Sequence, residues 1–174
     1  MDKFTRFELA ILPHLDSAYN LARWLMRNDD DAADAVQDAC LRALRSINSF
    51  RGDDGRAWLL AIVRNTCYTR LKRGAPRDSD SEFDDEIHSP QIEPANPETL
   101  LERSRDGETL RHALEALPAN LREIIVMREL DGMAYKEIAQ AAAIPLGTVM
   151  SRLARARKRL QHMLTAYPGK EPVG

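Results

Sequence analysis

The sequence predicts an all-α protein, and two observations carry that prediction. Only 6% of the 174 residues are aromatic, while 44% are hydrophobic and 30% charged, so the chain can bury ordinary cores with few strand-forming side chains. The apolar residues recur at steps of three and four, which is the period of an amphipathic helix. We expect two small helical domains, residues 1–74 and 108–165, joined by a flexible acidic linker at 75–107 and followed by a tail at 166–174.

Three amphipathic helices account for the first domain. The first has an apolar stripe made of Leu15, Ala18, Tyr19, Ala22 and Leu25. A polar break at 28–31 follows, where an Asp side chain can cap the next helix. The inward stripe expected for that second helix consists of Ala33, Val36, Cys40, Leu44 and Ile47. After a turn-rich segment at 49–55, the third helix is expected from about Arg56 to Lys72.

The middle of the chain differs from both ends in charge and in helical pattern. Residues 74–107 have a net charge of −7, whereas residues 1–73 have +2 and residues 108–174 have +3. Repeated prolines prevent a continuous helix there, which predicts a tether. In the second domain we expect helices at 110–117, 121–130 and 134–142, with Asp131-Gly132 stopping the second of them. A last helix then begins at Pro145.

The last helix is strongly basic on one side. Between Gly147 and Leu160 it has five positive charges and no negative one, and Val149, Leu153, Ala156 and Leu160 share the opposite side. A short helix, a tight turn and a basic amphipathic helix suit a helix-turn-helix that reads the major groove. The candidates for base edges are Thr148, Ser151 and Arg152, and those for phosphates are Arg155, Lys158 and Arg159. The alternative is a solvated basic face on an ordinary bundle helix.

Two stretches of sequence resemble a known family. The segment 117–139, followed by Pro145-Leu146-Gly147-Thr148-Val149 and by Ser151-Arg152-Leu153-Ala154-Arg155, closely resembles region 4 of bacterial extracytoplasmic-function (ECF) sigma factors of the sigma-70 family. The segment Asp34-Ala35-Val36-Gln37-Asp38 resembles the core-polymerase helix of that family's region 2. Ser49-Phe50-Arg51-Gly52, Ala57-Trp58-Leu59 and Arg64-Asn65 resemble its promoter-melting segment.

The resemblance implies a transcription initiation subunit that is not itself an enzyme. Such proteins bind core RNA polymerase, recognise the minus-thirty-five element through region 4 and open the minus-ten element through region 2. An anti-sigma factor is the further partner that the resemblance implies. In this family the linker threads toward the polymerase active-site cleft, where an acidic strand can mimic nucleic acid. A solubilising spacer is an equally good account of this linker.

The local chemistry fits these roles. The expected core-polymerase face is made of Asp34, Gln37, Asp38, Leu41 and Arg45, although a merely solvated helix face is the alternative. An unstacked minus-ten base needs an aromatic wall and polar donors, which Phe50 and Asn65 can supply. The other candidates for minus-ten DNA are basic residues that can follow the single strand, namely Arg64, Arg70, Lys72 and Arg73. Phe50 and Trp58 taken alone are more often core residues.

The sequence departs from the family at two positions. Met150 stands where many relatives have a basic residue, and Ala154 where a bulkier one is common, so neither is assigned a base contact. Two other functions stay open, namely a stand-alone helix-turn-helix regulator and a sigma-mimicking protein that binds an anti-sigma factor. The regulator leaves the Asp34–Asp38 face unexplained, and the mimic does not need the basic helix.

Other classes of function find little support. The four histidines are scattered, no phosphate loop or catalytic triad is evident, and no metal or cofactor is expected. Cys40 and Cys67 suit core positions better than a disulfide or a ligand pair. No signal-peptide core or membrane-length apolar run occurs, which favours a cytoplasmic protein.

Overall fold

The computed structural model describes residues 1–74 and 106–166, and all regular structure within those two ranges is helical. The all-α prediction is therefore confirmed. The predicted linker falls outside the described residues except for its last two positions, and the predicted tail does so from residue 167 onward.

The first domain contains four α-helices: α1 Lys3–Ala10, α2 Leu15–Met26, α3 Asp29–Ser46 and α4 Gly55–Gly74. Short 3-10 turns at Leu12–His14 and Ile47–Ser49 connect two of the pairs. Helix α1 was not predicted. None of its residues is fully buried, but Phe7 and Ala10 pack against the core. Its local signal is Asp2, whose carboxylate accepts hydrogen bonds from the N–H groups of Phe4 and Thr5 at 3.0 and 3.2 Å.

The stripe predicted for α3 was wrong by about one position. Of the five residues expected inside, only Val36 and Ile47 are buried, and Ile47 lies in the 3-10 turn after the helix. The buried face of α3 is instead made of Ala32, Ala35, Val36, Ala39 and Ala43. Because α3 packs against both α2 and α4, small side chains allow close approach on two sides. The larger residues Cys40 and Leu44 lie half-buried beside that contact.

The second domain contains α5 Asp106–Glu115, α6 Ala119–Ile125, α7 Tyr135–Ala142 and α8 Leu146–Ala166. The single helix predicted for 121–130 ends in a π-helical turn at Val126–Leu130, where the Asp131 N–H donates to the Val126 carbonyl at 3.2 Å. Gly132, at φ +62°, then reverses the chain, as Asp131-Gly132 predicted. Helix α5 is described from Asp106, four residues before the start predicted at Leu110.

The two domains pack against each other. Helix α4 contacts α7, and α2 contacts α6. One hydrophobic core runs through both domains, from Leu21 and Leu60 to Ile124 and Ile138. The described residues thus form a closed arrangement in which one side of α4 faces the second domain.

Candidate nucleic-acid interface

The turn before α8 fixes the direction of the basic helix. Ala143 has a left-handed backbone at φ +57°, and the Ile144 N–H donates to the Ala139 carbonyl at 3.1 Å, which closes α7. The Pro145 carbonyl then accepts from the N–H groups of Thr148 and Val149, so that α8 starts at once. Val149, Leu153 and Ala156 are buried and anchor α8 in the core. The opposite face of the helix therefore points outward.

The residues predicted for minus-thirty-five DNA follow this geometry in part. Ser151, Arg155 and Lys158 are exposed, whereas Thr148, Arg152 and Arg159 are half-buried on the flanks. Within the described ranges no acidic group forms an ion pair with any of these cations. The neighbouring cation differs, because Arg157 donates to Glu129 at 2.7 Å. The outward face thus has positive charge available for phosphates, while Arg157 has a protein partner.

Phe50 is not an exposed wall in this arrangement. Its side chain is buried and lies against Trp58, with the ring centroids 5.0 Å apart. Arg6 also contacts Phe50, because its guanidinium lies 5.9 Å from the ring centroid and donates to the Phe50 carbonyl. Sequence reasoning missed Arg6 because helix α1 was not predicted and Arg6 lies 44 residues from Phe50. The role predicted for Phe50 in minus-ten DNA remains a prediction and requires that this packing change.

The loop after Phe50 is held by two short-range features. Asp54 accepts a hydrogen bond from the Ala57 N–H at 3.0 Å and so caps α4. Gly55 lies so close to the Ala10 carbonyl that a Cβ atom would overlap it. The exposed part of the loop is therefore confined to Arg51, Gly52 and Asp53.

The candidates on α4 do not share one environment. Asn65, Lys72 and Arg73 are exposed, while Arg70 is partly buried and lies 3.6 Å from Asp38. Arg64 faces the second domain, where its Nε and Nη2 donate to the two carboxylate oxygens of Glu123 at 2.6 and 3.0 Å. Arg64 is thus bound by the chain itself rather than offered to DNA.

The Arg64–Glu123 pair is the most enclosed ion pair among the described residues. The Glu123 side chain is 0% exposed, and that of Arg64 is 19% exposed. The Tyr68 ring also lies 4.7 Å from the Arg64 guanidinium. Burial raises the pKa of Glu123, and the hydrogen bonds and charge of Arg64 oppose that shift. Burial alone would lower the pKa of Arg64, but Glu123 outweighs it and raises that pKa.

Further polar contacts join the domains around this pair. Arg56 donates to both carboxylate oxygens of Glu137, at 2.9 Å for the shorter Nη2 contact, and to the Asp131 carbonyl at 3.1 Å. Arg122, which is 4% exposed, donates to the Trp24 carbonyl at 2.9 Å. Burial, helped by the charge of Arg27, lowers the pKa of Arg122 to about 10. None of these contacts was predicted, because each joins residues far apart in the sequence.

The predicted core-polymerase face lies on the outer side of α3. Asp34, Gln37, Leu41 and Arg45 are exposed, and Asp38 is partly so. Leu41 is 51% exposed, which is unusual for a large apolar side chain on a helix that otherwise buries alanines. The structure brings these five residues together on one surface that the second domain does not cover.

Other chemistry is not evident in residues 1–74 and 106–166. That part of the chain has no group of three or more His, Cys, Asp or Glu suited to a metal, and none of its helices is long and apolar enough to cross a bilayer. Cys40 and Cys67 are free thiols. Cys67 is buried, and burial raises its pKa to about 12, which keeps the thiol protonated and unreactive.

Comparison with known proteins identifies the family. The model of Sigma-70 region 2 matches residues 10–77, and that of Sigma-70, region 4 matches residues 107–160. The ECF RNA polymerase sigma-E factor of Escherichia coli K12 is 37% identical over 140 residues, which cover 76% of this chain and 73% of that protein. The chain belongs to the ECF sigma factor family.

Other relatives agree with this assignment. ECF RNA polymerase sigma factor SigE of Mycolicibacterium smegmatis is 32% identical over 154 residues, which cover 88% of this chain but 60% of that relative. The sigma factor RpoE in complex with the anti-sigma factor NepR, from Bartonella quintana, superposes with a TM-score of 0.68 at 29% identity, covering 92% of this chain and 97% of that one. CnrH, in complex with the cytosolic domain of CnrY, shares the fold with a TM-score of 0.62 at 24% identity.

The family match shows which sigma region each domain corresponds to. Helices α2 to α4 fall in the region 2 match, and α5, α6, α7 and most of α8 fall in the region 4 match. The Arg64–Glu123 pair therefore joins region 2 to region 4 of this ECF sigma factor. The basic face of α8 is the exposed surface of the region 4 helix-turn-helix.

Proposed function

We propose that the chain binds core RNA polymerase and directs promoter-specific transcription initiation. The observation that carries this proposal is the outward basic face of α8, at the end of a helix-turn-helix within the region 4 match. In this proposal α8 binds the minus-thirty-five element, and the outer face of α3 binds core polymerase. The loop at 51–53 and helix α4 act on the minus-ten element. The chain works in the cytoplasm and leaves the chemistry to the polymerase.

The proposal includes a change of arrangement. Arg64 is a candidate for minus-ten DNA, but Glu123 occupies the Nε–Nη2 edge of its guanidinium with two hydrogen bonds. A carboxylate and a phosphate compete for the same donors. Region 4 must therefore move away from α4 before Arg64 can follow a DNA strand, and we propose that the described arrangement is the inactive one.

An anti-sigma factor is the proposed regulator. The support is that RpoE, solved with the anti-sigma factor NepR, superposes over 92% of this chain with a TM-score of 0.68. A partner that binds only the closed arrangement would shift the population toward it by its difference in affinity for the two states. Core polymerase would act in the opposite direction by binding the open one.

The test is transcription in a defined system. Purified chain is mixed with core RNA polymerase, a library of promoter fragments and nucleotides, and transcripts are mapped at their starts. We expect starts at one promoter class that depend on the chain. The Arg152→Ala, Arg155→Ala double variant should bind core equally well and lose those starts. No stable complex with core, or transcripts that do not depend on the chain, would reject the proposal.

The two alternatives give different outcomes in the same assay. A stand-alone regulator would bind a specific duplex without core and would not form a complex with the polymerase. A sigma-mimicking protein would bind an anti-sigma factor and give no promoter-dependent starts. The exposed Leu41 between acidic and basic neighbours favours the proposal over the regulator, because a regulator has no use for that face.

A further inference from the structure

The start of helix α8 has an exposed surface without charge. Leu146 and Met150 are 44% and 50% exposed, and both lie on the part of the helix that precedes its free cations. They are four residues apart and so lie side by side on one flank. Ala154, a further four residues along, is exposed as well. Three apolar side chains therefore form a row along the DNA-reading helix.

The polar side chains near this apolar row offer few free groups for hydrogen bonds to a base. The Ser151 hydroxyl donates to the Thr148 carbonyl at 3.3 Å, so it already has a partner within the helix. Arg152 is half-buried, and Arg157 is held by Glu129. The first outward cation with no acidic partner among the described residues is Arg155, more than two turns into the helix. The N-terminal residues of a recognition helix are those that approach base edges.

Base edges in the major groove differ in what they require. Guanine presents two acceptors and is read by Arg or Lys, adenine by Asn or Gln, and cytosine by an acceptor. Thymine alone presents an apolar group, its C5-methyl. A methionine placed over a guanine or cytosine edge would leave polar atoms without partners, which is costly. Over a thymine methyl group the methionine leaves no polar atom without a partner, and its flexible thioether chain adapts to the contact.

We infer that Met150, flanked by Leu146, contacts a thymine methyl group in the minus-thirty-five element and sets a preference for an A·T pair there. This inference rests on the proposed function, because it needs α8 to lie in the major groove of promoter DNA. It assigns Met150 a role in specificity, whereas Arg155 and Lys158 supply affinity that does not depend on sequence.

The test uses the complex of the chain with core polymerase. Its preferred minus-thirty-five duplex is first selected from a randomised pool, and each thymine is then replaced singly by deoxyuridine, which removes only the methyl group. At one position we expect affinity to fall about fourfold, the effect of returning one carbon to water. The Met150→Ala variant should bind the two duplexes equally. Met150→Leu should retain the difference, and so should Arg155→Ala, which weakens binding to both.

The outcomes separate the inference from the function on which it rests. If the complex forms and selects a sequence, but no thymine is sensitive to loss of its methyl group, the inference is wrong and the sigma function stands. A methyl effect that persists in Met150→Ala assigns the contact to another residue and also overturns it. If no complex forms with core, the inference and the proposed sigma function are both rejected. Met150→Lys, reselected on the same pool, should exchange the A·T preference for a guanine.

Discussion

Two basic helices of this chain are candidates for promoter DNA, and they differ in what covers them. On α8 the cations Arg155 and Lys158 are exposed, and the hydrophobic side of the helix is held in its own domain. On α4 the cation Arg64 lies against the other domain and binds Glu123. One helix is open to a duplex as it stands, whereas the other must first lose an intramolecular partner.

The difference shows that the helical pattern around a basic residue does not predict whether its side chain is exposed. Both helices have positive charges and no acidic residue, and both were assigned to DNA, α8 on its basic amphipathic face and α4 on cations within or next to the segment that resembles the promoter-melting segment. What separates them is an acid 59 residues away from Arg64, on a helix of the other domain. In the proposed function region 4 can therefore bind DNA as it stands, whereas Arg64 of region 2 must first separate from Glu123.

Removing the cation of the enclosed pair should have the largest effect. Arg64→Ala leaves the Glu123 carboxylate buried without its partner, a change that costs about 3–5 kcal/mol in other buried pairs. Because moving α6 away from α4 would admit water to that carboxylate, we expect the domains to separate rather than unfold. The radius of gyration from small-angle X-ray scattering should rise while the helical circular dichroism stays constant.

The matched control is Arg70→Ala on the same helix. Arg70 pairs with Asp38 of its own domain, so its loss should leave the radius of gyration unchanged. If Arg64→Ala were as compact as the wild type and equally stable to denaturant, Glu123 would not hold the closed arrangement, and the comparison between the two helices would lose its basis.

The sequence was sufficient to predict the structural features that depend on local residue patterns. The helix stop at Asp131-Gly132, the start of α8 beside Pro145 and the buried row Val149, Leu153 and Ala156 all follow from spacing and turn chemistry. The family and the order of its two regions followed from short motifs that the comparisons then confirmed.

What the sequence could not supply was contact between distant residues. The alanine face of α3 was misplaced because the approach of two neighbouring helices, rather than side-chain size, decides which side is buried. Phe50 was predicted to meet a base because its motif offers an aromatic wall, but Trp58 and Arg6 pack against its ring. Arg64 was assigned to DNA as a basic residue of the same segment, and its partner Glu123 lies 59 residues away. Each of these residues has its environment fixed by tertiary packing, which no local period encodes.

A smaller effect is expected at the edge of the domain contact. Arg56→Ala removes the pair with Glu137, whose two side chains are 25% and 20% exposed, and should weaken closure by about 1 kcal/mol. Arg56 is the better target, because Glu137 also accepts from the Ala134 N–H at 3.0 Å and so caps α7. Denaturant unfolding and scattering measure the loss. An effect as large as that of Arg64→Ala would contradict the ranking of enclosed over peripheral pairs.

On the open helix the expected effect is electrostatic and depends on salt. Arg155→Ala should lower the salt slope of promoter binding by about one, because one phosphate contact and its released counterions are lost. Arg157→Ala is the control, since that guanidinium already binds Glu129 and should change the slope by less. Binding of a fluorescent duplex between 50 and 200 mM salt provides the measurement. Equal slopes for the two variants would mean that a cation's lack of an acidic partner on α8 does not determine whether it contacts a phosphate.

The smallest effect on stability is expected where the polymerase face meets the DNA face. Asp38→Asn removes a charge that lies 3.5 Å from Arg42 and 3.6 Å from Arg70, and these partly exposed pairs contribute only about 0.5 kcal/mol to folding. The substitution should also have two functional effects. Affinity for core polymerase should fall, as it should in Asp34→Asn, because both carboxylates lie on the outer face of α3. In an Arg64→Ala background, which opens the domains, Asp38→Asn should also strengthen binding of single-stranded DNA because it releases Arg70. Asp34→Asn in the same background should not. If Asp34→Asn strengthens that binding equally, the gain comes from net charge alone and Arg70 is not held back by Asp38.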